Sequence, residues 1–314
     1  MEKKKKSSRA PITCFTADAE FFAIASKGTV GIWNTSNGNL VAQWEQQDGV
    51  PDVHYSCMAL RFTEKKKIRH RNAHYCLLAI GTDDGQVLAF DVLTNEVIWK
   101  STISQSGRLT ALSFANEETS LYAVGSHEVV EIDAESGQLV KSLKTTKKPI
   151  HSASFSLAAD RKIIFIFDGY LRLLSLDDGK ELVKMKSNSG HEQLVAISDD
   201  AKAVVTSGLG ETSIRVWNCD WDTKTLSPGA TIPIVHPASA IECKSDNSSA
   251  DGLVILTVLE SGLTYLGRFE SPLQDKVELI HVKVEPDSSG VETPKHKRKS
   301  ISAARLKSIE ERSK

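Results

Sequence analysis

The sequence predicts an all-β chain folded as a β-propeller, and three observations support this prediction. An apolar segment followed by a turn recurs along the 314 residues. The apolar residues that anchor its copies stand 57, 42, 42 and 43 positions apart, and a period of roughly 40–45 residues is typical of propeller blades. Each copy divides into short alternating stretches joined by polar or glycine-containing turns, as a four-stranded blade requires. The five anchors are Trp33, Phe90, Ile132, Leu174 and Trp217.

Six blades can be read on this pattern, at 11–48, 54–102, 107–145, 148–187, 191–234 and 236–284. The third blade shows the plan most clearly, with strands expected at LTALSF, SLYAVGS, EVVEID and QLVKSLK. The sixth is degenerate, because LVILTVLESGLTYLGRF lacks the Trp-Asp or Trp-Asn end. The expected domains are a basic tail over 1–10, the propeller over 11–284, and a disordered basic tail over 285–314 that could end in a short helix.

Composition and charge argue against several function classes. The net charge is −1, so no overall field selects nucleic acid or membranes. No apolar run approaches the roughly 18 residues that a transmembrane helix needs. Five cysteines are scattered without Cys-x-x-Cys spacing, which predicts reduced thiols in the cytosol or nucleus and does not favour zinc. We expect no cofactor, no metal and no small-molecule substrate.

Polar residues follow the anchors, and we expect their side chains to accept turn hydrogen bonds rather than bind metal. The acidic pairs Asp83-Asp84 and Asp199-Asp200 fall between strands, and turn chemistry is the expectation there too. The polar residues that follow the anchors are Asn34, Asp91, Asp133 and Asn218.

No spacing of Ser, His and Asp proposes a nucleophile, and no P-loop, HExxH or GxSxG motif is present. The inner-strand stretches LTALSF, HSASFS and QLVAIS offer serines and a single histidine, His151. Gly190-His191 is expected to have a structural role at the start of a blade. We therefore predict that the chain is not an enzyme.

Basic segments are the candidate functional residues. KHKRK near the C-terminus fits a nuclear-import or nucleic-acid patch, with a merely solvated tail as the alternative. KKKIRHR interrupts the second blade and could contact RNA phosphates without reading sequence. The stretch VKVE makes Lys283 a candidate SUMO site. The basic candidates are Lys65, Lys66, Lys67, Arg69, Arg71, Lys295, Lys297, Arg298 and Lys299.

The chain resembles WD40 proteins over residues 11–284, so the predicted fold is a WD40 β-propeller. The early first blade ending GIWNTSNGNLVAQW, the basic interruption, the strand LLAIGTDDGQVLAFDV and the segment HPASAIEC resemble the WD repeat-containing protein 43 family. That resemblance implies a nucleolar scaffold of the UtpA (t-UTP) subcomplex of the small-subunit processome. It implies binding to other propeller subunits and to the 5′ external spacer of the pre-rRNA, and it carries no enzymatic site.

Members of that family usually continue into a seventh blade and a helical domain, whereas here six blades are readable of an expected seven. An open ring and a truncated product are both compatible with this reading. The alternative function is a generic WD40 adaptor, such as a ubiquitin-ligase substrate receptor or a chromatin reader. The nearest strings to a WDxR blade end, WNTS and WNCD, lack the arginine, which weakens the ligase reading.

Overall fold

The structure is a computed structural model made of six four-stranded antiparallel sheets. The described residues contain no helix, and hence none that could cross a membrane. The predicted tails and the basic interruption of the second blade lie outside the described residues. The described residues are 12–16, 20–26, 29–45, 55–62, 76–92, 94, 96–103, 107–115, 119–156, 162–186, 192–246, 252–269 and 278–282.

The first three blades take their strands in chain order. Blade 1 consists of β1 (Ile12–Phe15), β2 (Phe21–Ser26), β3 (Thr29–Asn34) and β4 (Leu40–Glu45). Blade 2 consists of β5 (Tyr55–Phe62), β6 (Cys76–Thr82), β7 (Gln86–Asp91) and β8 (Glu96–Thr102). Blade 3 consists of β9 (Ala111–Phe114), β10 (Ser120–Val124), β11 (Glu128–Asp133) and β12 (Leu139–Thr145).

The last three blades follow the same plan. Blade 4 consists of β13 (Ile150–Ser156), β14 (Lys162–Phe167), β15 (Tyr170–Ser175) and β16 (Glu181–Lys186). Blade 5 consists of β17 (Glu192–Ile197), β18 (Ala203–Gly208), β19 (Ser213–Asp220) and β20 (Thr225–Pro233). Blade 6 consists of β21 (Ala238–Asp246), β22 (Gly252–Leu259), β23 (Thr264–Phe269) and β24 (Glu278–Val282).

The second strand of a blade is buried on both faces because each sheet is covered by a neighbouring blade on either side. Every residue of β6, β18 and β22 is buried, and these strands read CLLAIGT, AVVTSG and GLVILTVL. Continuous apolar and β-branched runs of this kind suit a sheet packed on both faces. The outermost strands are different: all residues of β12 retain exposure, as expected for an edge.

The ring closes with six blades. The first strands of successive blades contact one another around the axis, and β21 of blade 6 contacts β1 of blade 1. An apolar cluster joins Phe15, Phe22 and Ile24 of blade 1 to Val254 and Leu256 of blade 6. Closure is therefore by face-to-face packing, with every blade built from its own four consecutive strands. The expected seventh blade has no place between blades 6 and 1.

The predicted anchors carry out this packing, each against the blade that precedes it. Phe90 joins the core of blade 1, and Ile132 joins the core of blade 2. Leu174 packs on blade 3, and Trp217 packs on blade 4. Trp33 packs against the cluster shared with blade 6, so the first anchor closes the ring.

Blade 6 has an anchor that the sequence pattern did not reveal. Phe269 ends β23, is 3% exposed, and lies in the apolar cluster that blade 6 shares with blade 5. The blade therefore lacks the Trp-Asp signature but keeps the packing function. A phenylalanine supplies the same large apolar surface as tryptophan at this position.

The closing interface predicts a stability effect. Leu256 is fully buried between blades 6 and 1, so Leu256→Ala is expected to cost about 2–5 kcal/mol of unfolding free energy. Leu139→Ala removes the same atoms from a side chain that is 60% exposed, and its effect should stay within about 0.5 kcal/mol. Urea unfolding followed by tryptophan fluorescence measures both. Equal midpoints for the two variants would show that blades 6 and 1 do not pack in solution.

Candidate functional site

The six inner strands surround a central cavity of about 340 Å³. Hydroxyl side chains from several blades line it, among them Thr13, Ser56, Thr110 and Ser239. His151 lines the cavity and is exposed. Among the residues that the structure describes, no group of three or more His, Cys, Asp or Glu side chains is placed to hold a metal ion.

The serines of HSASFS have a structural role. Ser152 Oγ accepts a hydrogen bond from the backbone N–H of Val195 at 3.3 Å, and Ser154 Oγ accepts one from Ile197 N–H at 3.2 Å. These N–H groups belong to the inner edge of the next blade, where no further strand can pair with them. Buried backbone donors need such partners, so these hydroxyls join blades 4 and 5.

Asp199 lies in a turn, as predicted, but its carboxylate contacts a neighbouring blade and not the turn itself. Its carboxylate accepts hydrogen bonds from the backbone N–H of Ser245 at 2.7 Å and from the Ser245 hydroxyl. Its backbone carbonyl accepts a bond from Ser156 Oγ at 2.5 Å. Ser156 lies in blade 4 and Ser245 in blade 6, so the turn of blade 5 ties both neighbours together. Its neighbour Asp200 does behave as predicted, accepting bonds from Ser198 Oγ and Lys202 N–H.

The turn acceptors were predicted correctly in three blades. Asn34 Oδ1 accepts from Ser36 N–H at 3.0 Å, Asp133 Oδ1 accepts from Ser136 N–H at 2.7 Å, and Asp91 Oδ1 accepts from Thr94 N–H at 3.3 Å. In the other predicted acidic pair, Asp84 accepts from the Thr82 hydroxyl, and Asp83 forms an ion pair with Arg108 at 3.7 Å.

The prediction for Asn218 was wrong. Asn218 lies inside β19, opposite Ala203 and Ser227, because this strand continues two residues further than the repeat suggests. Asp220 takes the acceptor role, with Asp222 N–H at 2.9 Å and Thr223 N–H at 3.1 Å.

Further polar contacts join blades 2 and 3. Arg61 of blade 2 forms a 2.5 Å ion pair with Glu135 of blade 3, and its guanidinium lies 5.3 Å from the centre of the Phe114 ring. Trp99 Nε1 donates to the carbonyl of Ala134 at 2.9 Å. A buried charge is tolerated only with such partners, so Arg61 is a structural residue.

The cysteines are suited to packing and not to chemistry. Cys14, Cys57, Cys76 and Cys243 are buried, Cys219 is half-buried, and none forms a disulfide. Burial raises the pKa of the Cys57 and Cys219 thiols to about 12. A thiol becomes nucleophilic only as thiolate, so these groups are inert at neutral pH.

Glu242 is the unusual charged group of the channel. It lies on β21 beside the cavity, and desolvation raises its pKa to about 7, with Lys244 opposing the shift. A carboxyl group that titrates near neutrality can serve in catalysis. The raised pKa also makes the stability of the fold depend on pH.

None of the predicted basic candidates lies in the described part of the chain. Lys65, Lys66, Lys67, Arg69 and Arg71 belong to the segment between β5 and β6. Lys283 and the C-terminal candidates follow β24, and Gly190-His191 precedes β17. The C-terminal candidates are Lys295, Lys297, Arg298 and Lys299.

The structure instead gathers cations that sequence reasoning missed. Lys144 of blade 3 and Arg172, Lys184 and Lys186 of blade 4 lie on strands that border one cleft between these blades. They stand apart in the sequence and form no basic run. Their proximity could be predicted only from the alternation of side chains along each strand together with the order of the blades around the ring.

Comparisons with known proteins agree on the fold. The family described as outer membrane protein assembly factor BamB matches residues 64–208, somewhat less than half of the chain. A solved structure titled "Structure of U3-55K" superimposes with a TM-score of 0.57 at 15% identity, covering 80% of this chain and 89% of that one. No curated protein gives a significant match. At this identity the structural similarity establishes a propeller and no more.

The raised pKa of Glu242 predicts how stability changes with pH. The native state holds the proton more tightly than the unfolded chain, whose carboxyl titrates near its ordinary value of 4.5. The stabilising contribution is therefore complete below about pH 4.5, and it is lost as pH rises through about 7. Glu242→Gln cannot ionise, so at pH 8 we expect a higher urea midpoint for this variant than for the wild type, and a smaller difference at pH 5.

The matched control is Glu96→Gln, at an exposed position of β8. It should leave the pH profile of the urea midpoint unchanged. A wild-type profile that is flat between pH 5 and 8, or that the control variant alters equally, would contradict this account of Glu242.

Proposed function

We propose that the chain is a non-catalytic nucleolar scaffold in small ribosomal subunit biogenesis, acting in pre-18S rRNA processing and rDNA transcription. It docks other propeller subunits of the UtpA subcomplex and the 5′ external spacer of the pre-rRNA. The observation that carries the proposal is the assignment of the interior polar groups to holding blades together, as with Ser152, Ser154 and Asp199. Binding is left to the loops and the outer strands.

The outer surface offers a site for protein subunits. Leu40, Val97 and Leu139 are 49%, 58% and 60% exposed, and each lies at the beginning of the outermost strand of its blade. Because the blades share one topology, these residues lie at the same end of three adjacent blades. Exposed apolar side chains beside unpaired strand edges favour association with another chain. A neighbouring propeller subunit is the partner we propose for this strip.

The RNA half of the proposal rests on the basic segments and on the resemblance of the sequence to the processome family. KKKIRHR and KHKRK carry the charge needed for phosphate contacts whose affinity falls with salt. The structural neighbour supports the propeller and adds no weight to a choice of RNA.

Affinity purification separates this proposal from the adaptor reading. A tagged chain should co-isolate pre-ribosomal proteins, and crosslinking with sequencing should recover external-spacer RNA. Recovery of cullin adaptors or histones without spacer RNA would overturn the proposal and favour a ubiquitin-ligase receptor or a chromatin reader.

The C-terminal basic run gives a prediction for localisation. Reversing the charges of Lys295, Lys297, Arg298 and Lys299 is expected to lower the nucleolar fraction of a fluorescently tagged chain, because import and RNA retention both need cations. The matched control reverses the four lysines of 3–6. Unchanged localisation would contradict the role of the run, and an equal loss in the control would assign the effect to net charge.

A further inference from the structure

Three basic side chains and a tyrosine lie together on one face of blade 4. Tyr170 pairs with Lys186 across β15 and β16, and Arg172 pairs with Lys184. Residues two apart on a strand and their partners directly opposite share a face, so all four side chains lie together. The contacts agree, because Lys184 Nζ lies 4.6 Å from the centre of the Tyr170 ring and the Arg172 guanidinium 5.8 Å from it.

This face is turned toward blade 3. Leu174, two residues beyond Arg172 on the same strand, packs in the apolar cluster that blade 4 shares with Val124 and Val129 of blade 3. Lys144 is paired with Val129 across β11 and β12 and so lies on the facing side of blade 3. Cations from two blades therefore border one cleft, with an apolar floor toward the axis of the ring.

Several carboxylates near this cleft already form ion pairs, including Asp178 with Lys180 at 2.8 Å in the turn that lies against Leu143 of blade 3. Asp168 binds Lys148 at 2.6 Å, Glu181 binds Arg172 at 2.6 Å, and Glu131 binds Lys141 at 3.3 Å. Four exposed lysines remain, and in the described part of the chain none of them forms an ion pair within 4.0 Å. These are Lys144, Lys147, Lys184 and Lys186.

The local potential is correspondingly positive. The pKa of Asp168 is lowered chiefly by its hydrogen bond from Lys148, and Arg172 and Lys184 lower it further. Like charges that face one another without counterions repel, and their accumulation beside a cleft concentrates anions there. The cleft is thus built for an extended anion that enters from the outer edge of the ring.

We propose that the cleft between blades 3 and 4 binds the backbone of single-stranded RNA, with Lys144, Lys184 and Lys186 contacting phosphates and Tyr170 contacting a base. This inference rests on the proposed function for its ligand class. Lys184 and Lys186 are spaced about 7 Å apart along the strand, which suits successive phosphates of an extended chain. The Tyr170 ring beside these cations favours RNA over an acidic peptide, because a base can stack on it.

The test compares two double variants of the full chain. Lys184→Glu with Lys186→Glu reverses two cations of the cleft. Lys100→Glu with Lys224→Glu makes the same change in net charge at exposed positions of blades 2 and 5, outside the cleft. Fluorescence anisotropy with a 20-nucleotide mixed-sequence RNA is expected to show binding about tenfold weaker for the cleft variant at 100 mM salt, with a change below about twofold for the control. The salt slope of the cleft variant should fall by about 1.4.

Two further measurements locate the RNA contact on the protein. Ultraviolet crosslinking with mass spectrometry should identify an RNA-linked peptide that contains Tyr170. Tyr170→Leu should remove that crosslink while retaining most of the phosphate-dependent affinity. Crosslinks confined to the segments 63–75 and 283–314 would overturn the proposal.

Polyglutamate of similar length is the competing probe. If it binds the cleft in preference to RNA, the site is one for acidic protein segments and the RNA assignment is wrong. Equal RNA affinity in the wild type and the cleft variant would also overturn it. Neither result bears on the co-isolation of pre-ribosomal proteins, so this inference and the proposed function can fail separately.

Discussion

The whole ring depends on one repeated contact, the packing of the last apolar residue of each third strand against the preceding blade. Trp33 makes the contact that closes the ring: it packs against the cluster that includes Leu256 of blade 6, and its ring stacks on Phe22 of its own blade with centres 5.5 Å apart. It lies over Gly31, where a Cβ would come within 2.2 Å of the ring. Any larger residue at that position would displace the Trp33 ring. Because the same contact recurs at every interface between blades, weakening one interface is expected to affect the whole ring.

The geometry of a ring also decides where charge can accumulate. Neighbouring sheets pack through apolar clusters, where anchors such as Leu174 and Trp217 exclude water. Polar groups near the axis must be matched, as the Asp199 carboxylate is by Ser245. At the rim a side chain can remain solvated, so lysines are tolerated there without partners. Apolar packing between blades thus provides stability, while solvated positions of the outermost strands are available for ligands.

The blades and their anchors could be predicted from the sequence because both depend on local periodicity. The first blade was predicted at 11–48 and its strands span 12–45. Phe269 was missed because packing needs only a large apolar side chain, whereas the repeat signature asks for tryptophan. Asn218 was misassigned because strand length depends on pairing with β20. Asp199 and the cleft could not be predicted, because both arise from contacts between blades that no spacing along the chain encodes.

The basic residues of this chain fall into two groups, those in sequence runs and those on described strands. The runs KKKIRHR and KHKRK place many charges next to one another in sequence, which increases the local charge. Lys184 and Lys186 are positioned by the register of β15 and β16, on a face whose orientation is set by Leu174. A strand has already lost conformational freedom during folding, so binding a ligand to strand residues adds little to the entropic cost. We therefore expect the runs to govern the rate of encounter with RNA and the cleft to govern how long one orientation persists.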